Sequence, residues 1–194
     1  MNVLIVEDDQ DICHLYSIWL QEYNCNYVIA KNFEDGLYEY RQSLQYNPNH
    51  FNYFDLIILD YDLASKCRSH YAKNGLNVAK EILSINKDQR IIFASAWPQK
   101  IFNEYIESLK CFIEILQKPF DKDIFIKMVY DTFVFDTLKK VIENMRNDYG
   151  NPLNPDTKNY SSLFELLWKL QKDTFGDGGG DSEDNSYNKS FDKI

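Results

Sequence analysis

The sequence predicts an α/β domain built on a doubly wound parallel sheet. Short apolar runs rich in Val and Ile alternate with longer amphipathic stretches, which is the order expected of repeated β-α units. Several of these runs are apolar without alternation, as in strands that are covered by helices on both faces. Because crossovers between parallel strands are right-handed, the helices are expected on both sides of the sheet. The chain of 194 residues has room for one such domain and an appendage.

Five strands are predicted, since runs of four or five apolar residues are too short for a buried helix. They are VLIV (3–6), YVIA (27–30), LIIL (56–59), IIFA (91–94) and FIEIL (112–116). Apolar residues at helical spacing predict helices at about residues 12–23, 33–44, 76–83 and 101–109. A fifth helix is predicted from about Asp121, an N-cap type of residue, to about Met145.

The composition changes after residue 147. The stretch NDYGNPLNPDTKNY is rich in Asn and Pro and indicates a linker, whereas SSLFELLWKLQKD (161–173) has leucines at the spacing of a short amphipathic helix. The glycine-rich, acidic remainder predicts disorder. We therefore divide the chain into four parts. They are a domain at 1–132, a continuation of the fifth helix at 133–147, a linker with a short amphipathic helix at 148–175 and an acidic tail at 176–194.

Charge and cysteine content restrict the class of protein. The formal net charge of −9 argues against direct binding to nucleic acid or to an anionic membrane. No apolar run approaches the length of a transmembrane helix, and MNVLIVEDDQ lacks the basic region of a signal peptide. The four cysteines have no CxxC spacing and fit reduced thiols. These features predict a cytoplasmic location.

Polar side chains follow four of the predicted strands, at the point where each strand ends. Glu7 and Asp8 follow the first strand, Asp60 the third, Ser95 the fourth and Lys118 the fifth. The carboxyl ends of parallel strands share one edge of the sheet, so these groups are expected to converge there. Carboxylate oxygens suit Mg²⁺, a carboxylate can also accept a phosphoryl group, and an ammonium offsets the resulting charge.

Each of these residues alone has an ordinary structural interpretation as a turn residue, a helix start or a surface charge. Their joint occurrence at the ends of separate strands, in this order, favours a functional site. The combination predicts Mg²⁺-dependent phosphorylation of an aspartate.

Residues from Met1 to about Thr132 resemble the receiver domain of two-component response regulators. The stretches LIVEDD, DLIILDYDL, ASA and QKPF match the four motifs of that family in order and in approximate spacing. The resemblance implies a flavodoxin-like (βα)5 fold with strand order 2-1-3-4-5.

The resemblance also implies a metal site and a phosphoryl acceptor. Asp60 would accept the phosphoryl group from a histidine kinase or a phosphotransfer protein. Mg²⁺ would be bound by Asp8, Asp60 and the backbone carbonyl of Asp62, with Glu7 helping through water. Lys118 would pair with the phosphoryl group and Ser95 would hydrogen-bond it. The Lys118-Pro119 bond is a candidate for the cis geometry.

Two features depart from the family pattern. The loop YDLASKCRSHYAKNG takes fifteen residues to pass from Asp60 to Gly75, and it is basic. It fits either a solvated surface insertion or a lid or kinase-docking element beside the site. Ile115 stands where the family usually has Tyr or Phe, so a readout through rotation of an aromatic ring is not expected.

The predicted output is a protein interaction. We find no pattern of an output domain after Thr132, so the sequence indicates a stand-alone receiver that is not a turnover enzyme. It would bind an unidentified downstream protein or a second copy of itself. The segment FVFDTLKKVIENM fits a helix that covers its own sheet and, equally, a surface for another chain. The leucines of residues 163–170 fit docking to the domain or to a partner.

Two alternative functions stay open at this point. The chain would be an atypical receiver that acts as a phosphorylation-independent interaction module if the long loop and Ile115 mark a site that is not used. It would be a hydrolase of the same fold if Asp62, two residues after Asp60, acts as the acid found at that place in such enzymes. Continuous release of phosphate would distinguish the hydrolase from a receiver, which is modified once.

Overall fold

The computed structural model describes residues 1–46, 54–63, 74–97, 114–148, 169–170 and 173–174. Five strands and five longer helices lie within these ranges. The strands are β1 (Asn2–Val6), β2 (Asn26–Ala30), β3 (Leu56–Asp60), β4 (Ile91–Ser95) and β5 (Glu114–Gln117). The helices are α1 (Gln10–Glu22), α2 (Phe33–Tyr46), α3 (Gly75–Ile85), α4 (Lys122–Tyr130) and α5 (Phe133–Asp148).

The five strands form one parallel sheet in the order β2-β1-β3-β4-β5. The predicted fold class and strand order are therefore confirmed, and the predicted strands lie within two residues of the observed ones. In the register, Val6 pairs with Leu59, Asp60 with Ala94 and Ser95 with Gln117. The strands thus end nearly level at their carboxyl edge.

Two apolar cores lie on opposite faces of the sheet, because successive side chains of a strand point to opposite faces. In β1, Leu4 and Val6 pack in the core beneath α2 and α3, whereas Val3 and Ile5 pack in the core beneath α1, α4 and α5. Both sets are buried, which explains why the strand sequence is apolar without alternation.

Helices α1, α3 and α4 each begin at a side-chain cap that satisfies free backbone N–H groups. Asp9 caps α1 by accepting from the N–H groups of Asp11 and Ile12 at 2.8 and 3.1 Å. Asn74 caps α3 in a reciprocal capping box with Asn77. Asp121 caps α4, as its position after Pro119 predicts, and accepts from the N–H of Ile124 at 2.9 Å.

Replacement of Asp121 by alanine is expected to lower the free energy of unfolding by about 1 kcal/mol, because α4 loses its cap. Urea unfolding followed by circular dichroism measures the change. Asp123→Ala is the matched control, since it removes an exposed acid from the same first turn and leaves the cap in place. Equal losses in the two variants would attribute the effect to charge and contradict the capping role.

The prediction of one continuous helix from Asp121 to about Met145 is wrong. The chain leaves the helical conformation at Asp131, where φ is −82° and ψ is 112°, and α5 begins at Phe133. The backbone turns there because the Arg90 guanidinium donates hydrogen bonds to backbone carbonyl groups at the end of α4, which then do not accept from a further helical turn. The Asp131 carboxylate accepts from the Phe133 N–H at 2.8 Å, at the start of α5. Residues 133–147 therefore belong to a separate helix.

The first turns of α5 pack against the domain's own core. Val134 and Leu138 are buried in the cluster that α1 and α4 also line. Of the two interpretations of this segment, the described side chains bear out the one in which it covers its own sheet. The division of the chain at residue 132 and beyond stays a prediction.

Several predictions fall outside the described residues. They are the helix at 101–109, most of the loop between Asp60 and Gly75, most of the linker and the tail. Among the described helices, none has both the length and the apolar character needed to cross a membrane.

Candidate functional site

The sheet brings the predicted site residues to one edge. Glu7 and Asp8 directly follow β1, Asp60 and Ser95 are the last residues of β3 and β4, and Lys118 directly follows β5. The Lys118 N–H donates to the Ser95 carbonyl at 2.8 Å, which extends the contact between the last two strands to the site. Parallel pairing therefore gathers residues that are up to 111 positions apart in the chain.

Lys118 bridges two buried carboxylates. Its ammonium donates to Asp60 Oδ1 at 2.7 Å and to Glu7 Oε2 at 2.9 Å. Glu7 is 2% exposed and Asp60 8% exposed, so both charges are largely removed from water. Hydrogen bonds between charged groups in such surroundings are short and strong, and they hold all three side chains in place.

Three carboxylates converge beside this lysine. Glu7, Asp8 and Asp60 each offer one oxygen, and these oxygens all lie within 4.8 Å of one another. One ammonium cannot neutralise three carboxylates, so the described cluster keeps an excess of negative charge. Hard oxygen donors with this excess charge suit Mg²⁺, and the residues present therefore fit such an ion.

The pKa values of these groups show the same conflict between burial and charge. Burial raises the pKa of Glu7 and of Asp60. The hydrogen bond from Lys118 lowers both pKa values, whereas the charges of neighbouring acids raise them further, and the net shift is upward for both groups. Burial disfavours the charged form of Lys118, but its hydrogen bonds to Asp60 and Glu7 prevail and its pKa is raised. A cation at this place would favour the ionised carboxylates.

Ser95 is buried, and its hydroxyl oxygen accepts a hydrogen bond from the Trp97 N–H at 3.0 Å. Trp97 itself is exposed beyond the end of β4. Asp62 lies two residues after Asp60 and is exposed, and its charge contributes to the raised pKa of Asp60. The role of its backbone carbonyl as a metal ligand stays a prediction.

Two further expectations concern the end of β5. The Lys118-Pro119 peptide bond is cis, as predicted. Ile115 is buried and packs in the core beneath α2 and α3, and the absence of a readout through an aromatic ring stays a prediction.

Gly75 is a site residue whose contact the sequence analysis missed. A Cβ at this position would lie 2.1 Å from the Asp60 carbonyl oxygen and 3.0 Å from the Asp60 carbonyl carbon. The Gly75 N–H also donates to the Tyr61 carbonyl at 3.0 Å. The start of α3 is thus pressed against the backbone that carries Asp60. The only sequence signal was a glycine at the end of the long loop, which does not reveal its neighbour.

Comparisons with known proteins identify the fold. No protein-family model matches the chain, and no curated protein matches it. Solved structures do match. The response regulator TrrA of Thermotoga maritima, in complex with Mg²⁺ and BeF, has a TM-score of 0.51 and 26% identity, over 66% of this chain and 95% of that one.

NtrX of Brucella abortus matches in two forms. Its receiver domain has a TM-score of 0.52 and 20% identity, over 66% of this chain and 93% of that one. A longer NtrX chain has a TM-score of 0.55 and 18% identity, over 75% of this chain, and the match spans only 29% of that chain. The sequence motifs and these neighbours agree: the chain has the fold of the CheY-like receiver domains of two-component response regulators.

Proposed function

We propose that the protein is a phosphorylation-dependent switch of a two-component phosphorelay. Asp60 accepts a phosphoryl group from the phosphohistidine of a histidine kinase or a phosphotransfer protein. Asp8, Asp60 and the backbone carbonyl of Asp62 would hold Mg²⁺, with Glu7 helping through water. The observation that carries the proposal is the Lys118 ammonium bonded to both Asp60 and Glu7, at the strand edge where three carboxylates meet.

The transfer requires little from the protein beyond positioning and charge. An oxygen of Asp60 attacks phosphorus, a P–O bond forms, and the P–N bond breaks as the histidine nitrogen keeps the electron pair. Lys118 orients the Asp60 carboxylate before the reaction and offsets the charge of the product. The Ser95 hydroxyl accepts from Trp97, which leaves its single proton for a phosphoryl oxygen. Mg²⁺, when bound, supplies further positive charge to the phosphoryl oxygens.

Similarity to TrrA supports this assignment. TrrA is a response regulator, it is 26% identical to this chain over the matched region, and its solved structure is a complex with Mg²⁺ and BeF. A hard cation at the cluster of Glu7, Asp8 and Asp60 is consistent with the oxygen donors that the described residues offer.

The proposed switch acts through protein contacts. Its downstream partner is a protein or a second copy of the chain, without direct contact to nucleic acid or membrane, as the net charge of −9 favours. Cys13 and Cys25 are both buried free thiols, which is compatible with the reducing cytoplasm.

Intact mass spectrometry tests the phosphorylation directly. The protein is incubated with a small acyl-phosphate donor, with and without Mg²⁺. We expect a gain of one phosphoryl group that requires Mg²⁺ and is lost in Asp60→Asn. Asp88→Asn is the matched control, because it changes an exposed aspartate that precedes β4 at the opposite edge of the sheet, and it should be modified like the unaltered protein.

The outcomes separate the candidate functions. Modification that persists in Asp60→Asn would contradict the assigned acceptor. Absence of modification with Mg²⁺ present would favour the second candidate function, a phosphorylation-independent interaction module. The aliphatic side chain of Ile115 is an independent observation in favour of such a module over a conventional switch. Phosphate released continuously beyond one equivalent would mark a hydrolase.

A further inference from the structure

The C-terminal part of the chain returns to the domain and contacts α4. Lys169, Leu170, Asp173 and Thr174 are helical. Leu170 is partly buried and packs against the core beneath α1, α4 and α5. The Lys127 ammonium of α4 donates to the Thr174 carbonyl. Two contacts, one apolar and one polar, therefore join this segment to the same side of the domain.

A groove opens beside these contacts. It has a volume of about 400 Å³ and is lined by Tyr23, Ile126, Lys127, Tyr130 and Asp131. Two of these residues, Tyr23 and Tyr130, are large aromatic side chains left 43% and 47% exposed, with ring centroids 6.0 Å apart. Such a groove suits one more aromatic or aliphatic side chain.

The sequence continues from the Thr174 contact with a side chain of this kind. Lys127 lines the groove and also binds the carbonyl of Thr174, so the next residue, Phe175, starts within one Cα spacing of about 3.8 Å from that contact. Gly176 follows, a residue that commonly ends a helix. The next apolar residue in the tail is Tyr187, so Phe175 is the apolar side chain nearest to the groove along the tail.

We propose that residues 169–175 form an intramolecular strap across α4, with the Phe175 ring seated in the groove against the exposed sides of Tyr23 and Tyr130. The hydrogen bond from the Lys127 ammonium to the Thr174 carbonyl supports this arrangement, because it holds the residue before Phe175 at the groove. A partner or a second copy of the chain would then reach the groove only in competition with Phe175. The inference does not depend on phosphorylation at Asp60.

Limited trypsin digestion of the full chain tests the strap. Docking should protect the peptide bonds after Lys169 and Lys172, whereas cleavage after Lys189 in the tail serves as the internal standard. Phe175→Ala should raise the rate of cleavage in the strap about tenfold. The rate follows the fraction of molecules in which the strap is undocked, and this fraction rises when the aromatic side chain that the groove buries is removed. Phe191→Ala, a matched change in the tail, should leave the rate unchanged.

A second pair of variants tests the apolar contact separately. Leu170→Gln should raise the rate of cleavage after Lys172, whereas Lys169→Gln, at an exposed neighbouring position, should not. Circular dichroism checks that each variant stays folded. Cleavage of the unaltered protein at Lys172 as fast as at Lys189 would overturn the strap. An increase in Leu170→Gln with none in Phe175→Ala would overturn the seating of Phe175.

Discussion

Replacement of Arg90 by alanine is expected to lower the free energy of unfolding by about 3–5 kcal/mol. The buried guanidinium makes a bidentate ion pair with Glu114, at 2.7 and 2.9 Å. It also donates to the carbonyl groups of Met128, Val129 and Asp131 at 2.6–2.9 Å, where α4 ends. One side chain therefore links β4 and β5 to the end of α4.

The large effect comes from what the substitution leaves behind. Glu114 is fully buried, and burial already raises its pKa even with Arg90 beside it. Without Arg90 the carboxylate must be protonated or remain an uncompensated buried charge, and the carbonyl groups at the end of α4 lose their donor. Urea unfolding at neutral pH measures the loss.

The exposed ion pair between Arg41 and Glu81 provides the matched control. Its side chains are 3.2 Å apart and 55% and 50% exposed, so Arg41→Ala should change the free energy of unfolding by less than about 1 kcal/mol. The double variant Arg90→Met, Glu114→Leu should be less destabilised than Arg90→Ala, because no unpaired charge remains. A loss in Arg90→Ala no larger than in Arg41→Ala would contradict this account of the network.

Replacement of Gly75 by alanine is expected to slow phosphorylation of Asp60 by about 100-fold. A methyl group at Gly75 would lie 2.1 Å from the Asp60 carbonyl oxygen, which is backbone and has no rotamer to change. Either β3 or the start of α3 must move, and a displacement of about 1 Å at a reacting group typically costs this much in rate. The expected loss of stability from overpacking is about 1–3 kcal/mol.

Gly36→Ala is the control for this prediction. A methyl group there would lie 3.0 and 3.1 Å from the two γ-carbons of Val6, a tight contact with a side chain and not with backbone, and Gly36 lies within α2, where alanine is favoured over glycine. The rate of phosphorylation is measured by mass against time with an acyl-phosphate donor, and urea unfolding reports stability separately. A Gly75→Ala variant that is folded and modified at the unaltered rate would refute the positioning role.

Much of the fold was predictable because its signals are local. Apolar runs such as LIIL at 56–59 are recognisable without neighbours, since strands buried on both faces need no alternation. Asp121 identified the start of α4 because a cap depends on the next three residues only. The expected convergence of Asp60, Ser95 and Lys118 required just the rule that parallel strands end at one edge.

The sequence by itself therefore determined the α/β class, the strands and the polar residues at their ends. Only the tertiary structure decided where α4 stops, because Arg90 reaches it from 38 or more positions away, and that Gly75 lies against the backbone of Asp60, fifteen positions earlier in the chain. It also decided that Leu170 packs on the domain rather than facing solvent. These features depend on contacts between distant parts of the chain, and periodicity within a segment carries no information about them.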